Sequence, residues 1–352
     1  MDKFTPSYSL EEKIGQMLMI GFRGTEIDST STVTKQIKTL NPGGIWLTDN
    51  DSPLGKTLGN IESPEQVKEL TSALQAKSKI PLLISIDAEG GKVIRLKEKY
   101  GFPATYSAKH LGTKGDLQFS FSESSKIASL LSNLGINLNF TPVVDLELNS
   151  ENPPLAKKER CFGSDVQTVI NHSREVIRAH DKFDILTVLK HFPGHGSSGT
   201  DSHLDMVDVS SSWNEIELLP YKTFIAEGLA DVILSAHVKV NSLDDKLPAT
   251  LSKNILTGLL RNKMGFTGLI ISDDLNMGAI YKNYNYNETI ALAINAGVDM
   301  LLQGNVLNYD ANLPEKTFEA IYNHVKNGVI SEERVEDAFS CIIKIKQKVN
   351  LL

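Results

Sequence analysis

The chain has 352 residues, 41% hydrophobic and 22% charged, a balance that excludes disordered, collagen-like and coiled-coil proteins and admits two ordinary domains or one large α/β barrel with insertions. Its formal charge is -7, from 36 Lys and Arg against 43 Asp and Glu, with no run of five basic residues, so a nucleic-acid partner is not expected. Two cysteines, Cys161 and Cys341, stand too far apart to build a disulfide framework or a spaced metal site, which fits a reducing compartment.

Apolar runs short enough for strands recur down the chain, with amphipathic stretches between most of them. The first candidate strand is Met17–Phe22; its strongly apolar part, Met17–Ile20, is far shorter than a signal-peptide core and follows Asp2, Glu11 and Glu12, so no export or membrane segment is expected and the protein reads as cytoplasmic. Gly44–Leu47 comes next, then a helix over Pro64–Ala76 with Ser63 as N-cap and Pro64 at the first helical position. Strands follow at Leu82–Ile86, Ile136–Val144 and Ile185–Leu189, with a helix over Ser164–His180 between the last two. Val232–Ser235, Leu269–Ile271 and Met300–Leu302 complete eight strands. A helix over Ile255–Met264 precedes the seventh, and helices near Glu315–Lys326 and Glu332–Val349 close the chain. This alternation suits an α/β fold, a (β/α)8 TIM-type barrel with C-terminal helices. No G-x-G-x-x-G follows a strand, and no linker, composition shift or fixed repeat divides the sequence, so residues 1–352 are expected to form a single domain.

In such a barrel the chemistry collects at the C-terminal ends of the strands. Five runs end in ionisable groups: Asp87, Asp145, Lys190 with His191, His237, and Asp273. Taken singly, each has an ordinary structural explanation, an aspartate as a cap or a histidine as a hydrogen-bonded core residue. Together they mark one rim. Four histidines, His191, His195, His203 and His237, lie close in sequence to Lys190 and Asp201. The run KHFPGHGSSGTDSH (190–203) is either a loop built for close backbone approach or a flexible glycine segment with a solvated tip. If it is extended at its end, Asp201 and His203 project to the same side, where the carboxylate can fix an imidazole tautomer and raise its basicity. Asp273 and Asp274 are adjacent, so pleating sends them to opposite faces; alternation does not choose between them, because both faces of their strand are apolar. DAEGGKVIRL (87–96) places Asp87, Glu89 and Arg95 around a glycine pair, either for one small polar ligand or as a local salt bridge.

Taken together, several segments resemble family 3 glycoside hydrolases, specifically the β-N-acetylhexosaminidases of the peptidoglycan-recycling type. They are KHFPGHGSSGTDSH, ISDDLNMGA (271–279), DAEGGKVIRL, GINLNFTPVVDL (135–146) and RCFG (160–163), supported by LEEKIGQMLMIGF (10–22), LPATLSKNILTGLLRNKMGFTGLIISDDL (247–275) and AINAGVDMLL (293–302). These cover nearly the whole chain in order. The resemblance implies Asp273 as nucleophile, His203 as general acid/base and Asp201 as its partner. It also implies that Asp87, Arg95, Arg160, Lys190 and His191 hold the hydroxyls and acetamido group of the terminal sugar, with His195 shaping the loop. Three departures touch contacts beyond that sugar: NPPLAKKE (152–159) carries more positive charge than expected, Cys161 stands where a serine is common, and GGIWLTDND (43–51) carries Asp49 and lacks an aromatic or arginine near Asn50.

The implied reaction is a retaining double displacement on a β-linked N-acetylglucosaminide, with a small carbohydrate or muropeptide as substrate and no metal or cofactor. Residue types alone keep a metal-dependent hydrolase open, with His191, His195, His203, His237, Asp201 and Asp273 drawn around a barrel mouth. A sugar-binding protein without turnover and a β-glucosidase of the same family are further alternatives. Neither a nucleic-acid nor a membrane partner is expected, and a monomer is.

Overall fold

The computed structural model describes residues 8–49 and 59–352; Asp2, Asn50 and Asp51 lie outside them. Parallel strands covered on both faces need apolar side chains on both, and the apolar runs meet that need. Leu18–Gly21 (β1), Gly44–Leu47 (β2), Leu83–Ile86 (β3), Leu138–Asn139 (β4), Leu186–Phe192 (β5), Val232–Ser235 (β6), Leu269–Ser272 (β7) and Leu301–Gln303 (β8) are buried at every position. All pair in parallel, in the order β7-β6-β5-β4-β3-β2-β1-β8. The ends of that row meet: Ile271 bridges Met300, and the Ser272 N–H donates to the Met300 carbonyl at 3.0 Å. The result is a TIM-type barrel, and helices Leu313–Lys326 and Glu332–Lys348 follow its last strand. No helix among the described residues is long and apolar enough to cross a membrane.

Two strands differ from the sequence expectation in ways that matter for the site. The run 136–144 forms regular strand only at Leu138–Asn139, because Pro142 has no N–H to continue the ladder; pairing resumes as a single bridge between Val143 and Lys190. The Asn139 side chain fills part of the gap, accepting from the Ala88 N–H at 2.9 Å and donating to the Ala88 carbonyl at 3.0 Å. Strand β5 instead runs on to Phe192, so Lys190 and His191 sit within the strand and do not follow it. The Thr141–Pro142, Lys190–His191 and Phe192–Pro193 peptide bonds are cis.

The helices start where caps are available. Ser63 Oγ accepts from the Gln66 N–H at 3.2 Å and opens Pro64–Lys77. The helix expected from Ser164 begins at Val166, because Asp165 takes the cap, accepting from the Thr168 N–H at 2.8 Å. Asn254–Lys263 is wound as a π-helix; an apolar pattern over ten residues does not separate i→i+4 from i→i+5 winding. At the N-terminal entry of β8, the fully buried Asp299 accepts from the Ile270 N–H at 2.9 Å and from Arg261 Nη2 at 2.6 Å, and also pairs with Arg334 of the last helix. That one carboxylate fastens β7, β8, the π-helix and the C-terminal helix together.

Candidate active site

The C-terminal ends of the strands surround a cavity of about 340 Å³, at the lower end of the range of roughly 300–1,000 Å³ for small-ligand sites. Trp46 and Thr48 reach it from the end of β2, Asp87 from β3, Lys190 and His191 from β5, and Asp273 and Asp274 from β7. Arg95, Arg160 and His203 enter on the loops that follow β3, β4 and β5.

One wall is a network of opposite charges. Lys190 Nζ lies 3.0 Å from Asp87 Oδ1 and 2.6 Å from Glu89 Oε1. Arg160 forks onto Glu89 through Nε at 2.9 Å and Nη2 at 2.7 Å. Asp87 also accepts from Trp46 Nε1 at 3.2 Å and faces Arg95 Nη2 at 3.5 Å. Burial opposes ionisation of both carboxyls, but the cations win: Lys190 and Arg95 hold Asp87 well below the usual carboxylate range, and Arg160 and Lys190 hold Glu89 at about 2. Stranding one member of such a buried pair costs about 3–5 kcal/mol, so these side chains fix one another before any ligand arrives.

His191 is oriented from both sides. Its Nε2 accepts from Arg160 Nη2 at 3.1 Å, so Nδ1 carries the hydrogen and donates to Asp145 Oδ2 at 2.6 Å. Burial pushes the Asp145 carboxyl up to about 6; burial and the nearby Arg160 charge drive the His191 imidazole well below its ordinary value. The ring is therefore neutral at neutral pH. Asp145 does more than hold that ring, since it also accepts from the backbone N–H of His191 at 3.1 Å and of His195 at 2.8 Å.

The loop from 194 to 203 is tied down at its root. Glu217, buried on the turn of helix Glu215–Leu218, accepts from the Gly196 N–H at 2.9 Å and from Ser197 Oγ at 2.8 Å. Asn152 Nδ2 donates to the His195 carbonyl at 2.8 Å, and Trp213 Nε1 to the Pro193 carbonyl at 3.1 Å. Two glycines make the fit possible: Gly194 has φ +122°, and a β-carbon on Gly196 would stand 1.8 Å from the Leu146 carbonyl oxygen. The far end rests on helix Gly278–Tyr281, where the His203 carbonyl accepts from the Gly278 N–H at 3.2 Å and the Ser202 carbonyl from the Ala279 N–H at 3.1 Å. There Asp201 Oδ1 accepts from both the N–H of His203 at 3.0 Å and its Nδ1 at 2.7 Å. The pair thus forms by a tight turn and not by the extended stretch that the spacing suggested.

At the end of β7 the two neighbouring carboxyls are set apart. Asp273 is opposed by burial, yet its surroundings, the imidazole of His237 first and the backbone N–H of Asp274 among them, hold its pKa below the ordinary value. Burial, reinforced by the charge of Asp273, pushes Asp274 up to about 6. Asp274 also turns back on its own chain, Oδ1 accepting from the Asn276 N–H at 3.1 Å, while its backbone N–H donates to Asp273 Oδ1 at 2.9 Å. Both border the cavity, against the expectation of opposite faces, because they lie beyond Ser272, the last paired residue, where turn geometry replaces the pleat.

The sequence profile of the Glycosyl hydrolase family 3 N terminal domain matches residues 9–345. A β-hexosaminidase from Tolumonas auensis is 34% identical over 291 residues, covering 82% of either chain. The chain belongs to glycosyl hydrolase family 3. Its match to β-hexosaminidase A of Pseudoalteromonas piscicida is 29% over 367 residues, covering 96% of this chain and 61% of that one. The structure of a family 3 β-N-acetylglucosaminidase from Paenibacillus sp. str. FPU-7 superposes with a TM-score of 0.89 at 33% identity, covering 98% of this chain and 63% of that chain. The chain spans less than two thirds of the Pseudoalteromonas relative and of the Paenibacillus structure.

In this family 3 chain Asp87, Arg95, Arg160, Lys190, His191, His203 and Asp273 border one cavity, and Asp201 stands behind His203. His195 and His237 do not reach it: the first is buried at the loop root, and the second donates from Nε2 to the Asp274 carbonyl at 3.1 Å. Among the described residues no three His, Cys, Asp or Glu side chains come together in a metal-holding group. Cys161 packs with Val143 and Leu155 behind the wall, its thiol pushed well up by burial. Sequence reasoning missed Trp46 and Glu217, and the roles implied by the resemblance included neither Glu89 nor Asp145. Asp145 stood at a strand end and Glu89 in the glycine-pair segment, so both carried a signal; Glu217, in an ordinary amphipathic stretch, carried none.

Proposed function

We propose that the chain is a retaining exo-β-N-acetylglucosaminidase that removes terminal N-acetylglucosamine from β-linked substrates such as peptidoglycan-derived GlcNAc-anhydroMurNAc peptides. It works as a single catalytic barrel, in the cytoplasm, as a monomer and without a cofactor. The reading is carried by one observation: a carboxyl kept acidic, Asp273, and a carboxylate-bound imidazole, His203, border the same small cavity as a network of fixed polar groups. Asp87, Arg95, Arg160, Lys190 and His191 hold the hydroxyls and acetamido group of the terminal sugar. Asp273 attacks the anomeric carbon as the bond to the leaving oxygen breaks, and His203 gives that oxygen a proton. In the second half the imidazole takes a proton from water, which displaces Asp273 and restores the β-configuration.

The test is hydrolysis of an aryl β-N-acetylglucosaminide followed by NMR, with a fluorosugar trap and peptide mapping. The β-anomer as first product and label on Asp273 are the expected results. Label on Asp274, α-anomer as first product, or faster turnover of aryl β-glucoside than of the acetamido sugar would overturn the reading.

A further inference from the structure

A second depression opens beside the catalytic cavity, outside the ends of β7 and β8. It is a broad groove of about 770 Å³ bordered by Arg23, Tyr281, Leu307 and Tyr309, among others, and Leu307 borders the catalytic cavity as well. We propose that this groove is a stacking subsite for a glycosyl ring on the leaving-group side of the substrate, laid against Tyr309 and flanked by Tyr281. The proposal rests on the functional reading above, which puts the anomeric carbon at Asp273.

Direction comes from the barrel. The groups assigned to the sugar hydroxyls stand at the ends of β3 and β5, and Asp273 stands at the end of β7. A sugar spanning them brings its anomeric carbon to Asp273, which attacks the face opposite the breaking bond, so the leaving group departs away from that carboxylate and toward the acid, His203. His203, which must meet the leaving oxygen, sits on a loop that rests on Gly278–Tyr281, the helix whose last residue, Tyr281, borders the groove.

Surface chemistry selects the occupant. Tyr281 is 58% exposed and Tyr309 36%, two of the few large apolar side chains left in water among the described residues, and Leu204, 68% exposed, sits next to His203 on the loop. A cluster of exposed apolar groups at the rim of a cavity marks a binding surface, whereas scattered ones do not. Arg23 lies over one face of the Tyr309 ring, 3.6 Å from its centroid, and so orients it. The C–H face of a pyranose covers such a ring, while its hydroxyls stay in water. An acidic peptide is the poorer occupant, because Lys316 is paired to Asp310 at 2.5 Å and Lys282 is spent on the Leu204 carbonyl at 2.7 Å.

The experiment compares kcat/KM for chitobiose and chitotriose with that for methyl β-N-acetylglucosaminide, whose leaving group is equally unactivated but has no ring. In the wild type the chito-oligosaccharides are expected to be the better substrates. Tyr309→Ala should lower the ratio of chito-oligosaccharide to methyl glycoside by about tenfold, and Tyr309→Phe should restore it. An unaltered ratio in Tyr309→Ala, with all substrates still cleaved, overturns the subsite and leaves the functional reading standing. No hydrolysis of any of these glycosides by the wild type overturns both.

Discussion

A single oxygen of Asp201 holds His203 twice, accepting from its backbone N–H at 3.0 Å and from its ring Nδ1 at 2.7 Å. Burial opposes ionisation of that carboxyl, but the bonds from His203 hold it at about 2, so it is an anion at neutral pH. An anionic carboxylate only accepts, which leaves the hydrogen on Nδ1 and makes Nε2 the nitrogen that exchanges protons. The turn thus fixes tautomer and direction together.

His203→Ala is therefore expected to slow hydrolysis of an unactivated glycoside by about 10²- to 10⁴-fold, and that of a dinitrophenyl glycoside far less, because such a leaving group departs without a proton. Asp201→Asn should follow the same pattern more weakly. Steady-state kcat/KM on the two substrates decides it, and equal losses on both would remove His203 from the acid role.

Glu217 predicts a different signature, because it touches the loop and lies outside the cavity. Burial, with the charge of Asp145 beside it, raises its carboxyl from 4.5 to about 7. Between those values the folded chain keeps a proton that the unfolded chain has released, so this group lowers stability as pH rises through that window. Glu217→Gln keeps an acceptor for the Gly196 N–H and has no proton to lose. Its urea midpoint, compared with the wild type, should improve as pH is raised from about 4.5 to about 7. Glu217→Ala leaves the Gly196 N–H unpaired, at about 1–3 kcal/mol, and should lower turnover of unactivated glycosides by loosening the loop that carries His203. A midpoint difference independent of pH would show that Glu217 does not titrate in this range.

The barrel was legible because eight buried parallel strands must be apolar on both faces, and no other arrangement of eight such runs with intervening helices was as economical. What periodicity left open was local. It misplaced the ends of β4 and β5, where Pro142 interrupts one ladder and the pairing of β5 with β6 carries the other to Phe192. Asp273 and Asp274 were not separable by alternation, since the strand stops at Ser272 and a turn sets both side chains. Glu217 was invisible for a related reason: what makes it matter is contact with a segment twenty positions earlier, which spacing along one helix does not encode.

Asp299 offers a control that separates fold from chemistry. It is fully buried, lies at the end of the barrel remote from the cavity, and satisfies the Ile270 N–H together with Arg261 and Arg334. Removing it strands two guanidinium groups beside the barrel wall. Asp299→Ala should cost about 3 kcal/mol, read as a lowered urea midpoint, with KM and kcat per folded molecule intact. A large change in KM would mean that the site senses this end of the barrel.

Lys346 makes the opposite prediction with pH. It is fully buried on the last helix, its Nζ donating to Gln16 Oε1 at 2.5 Å, and burial pushes its pKa from 10.5 down to about 7. Between those values the unfolded chain carries a proton that the folded chain has lost, so stability contributed here rises with pH. Lys346→Met fills the same volume without a charge to bury but leaves Gln16 Oε1 without its donor, at about 1–3 kcal/mol. Near pH 6, where the wild type must bury an ammonium, the desolvation penalty of several kcal/mol is the larger of the two, and the methionine variant should be the more stable. Near pH 10 the wild-type amine is neutral in the fold and the orphaned amide decides, so the order should reverse. Thermal midpoints of both proteins at the two pH values test this, and a gap that stays constant or widens with pH would contradict the depressed amine.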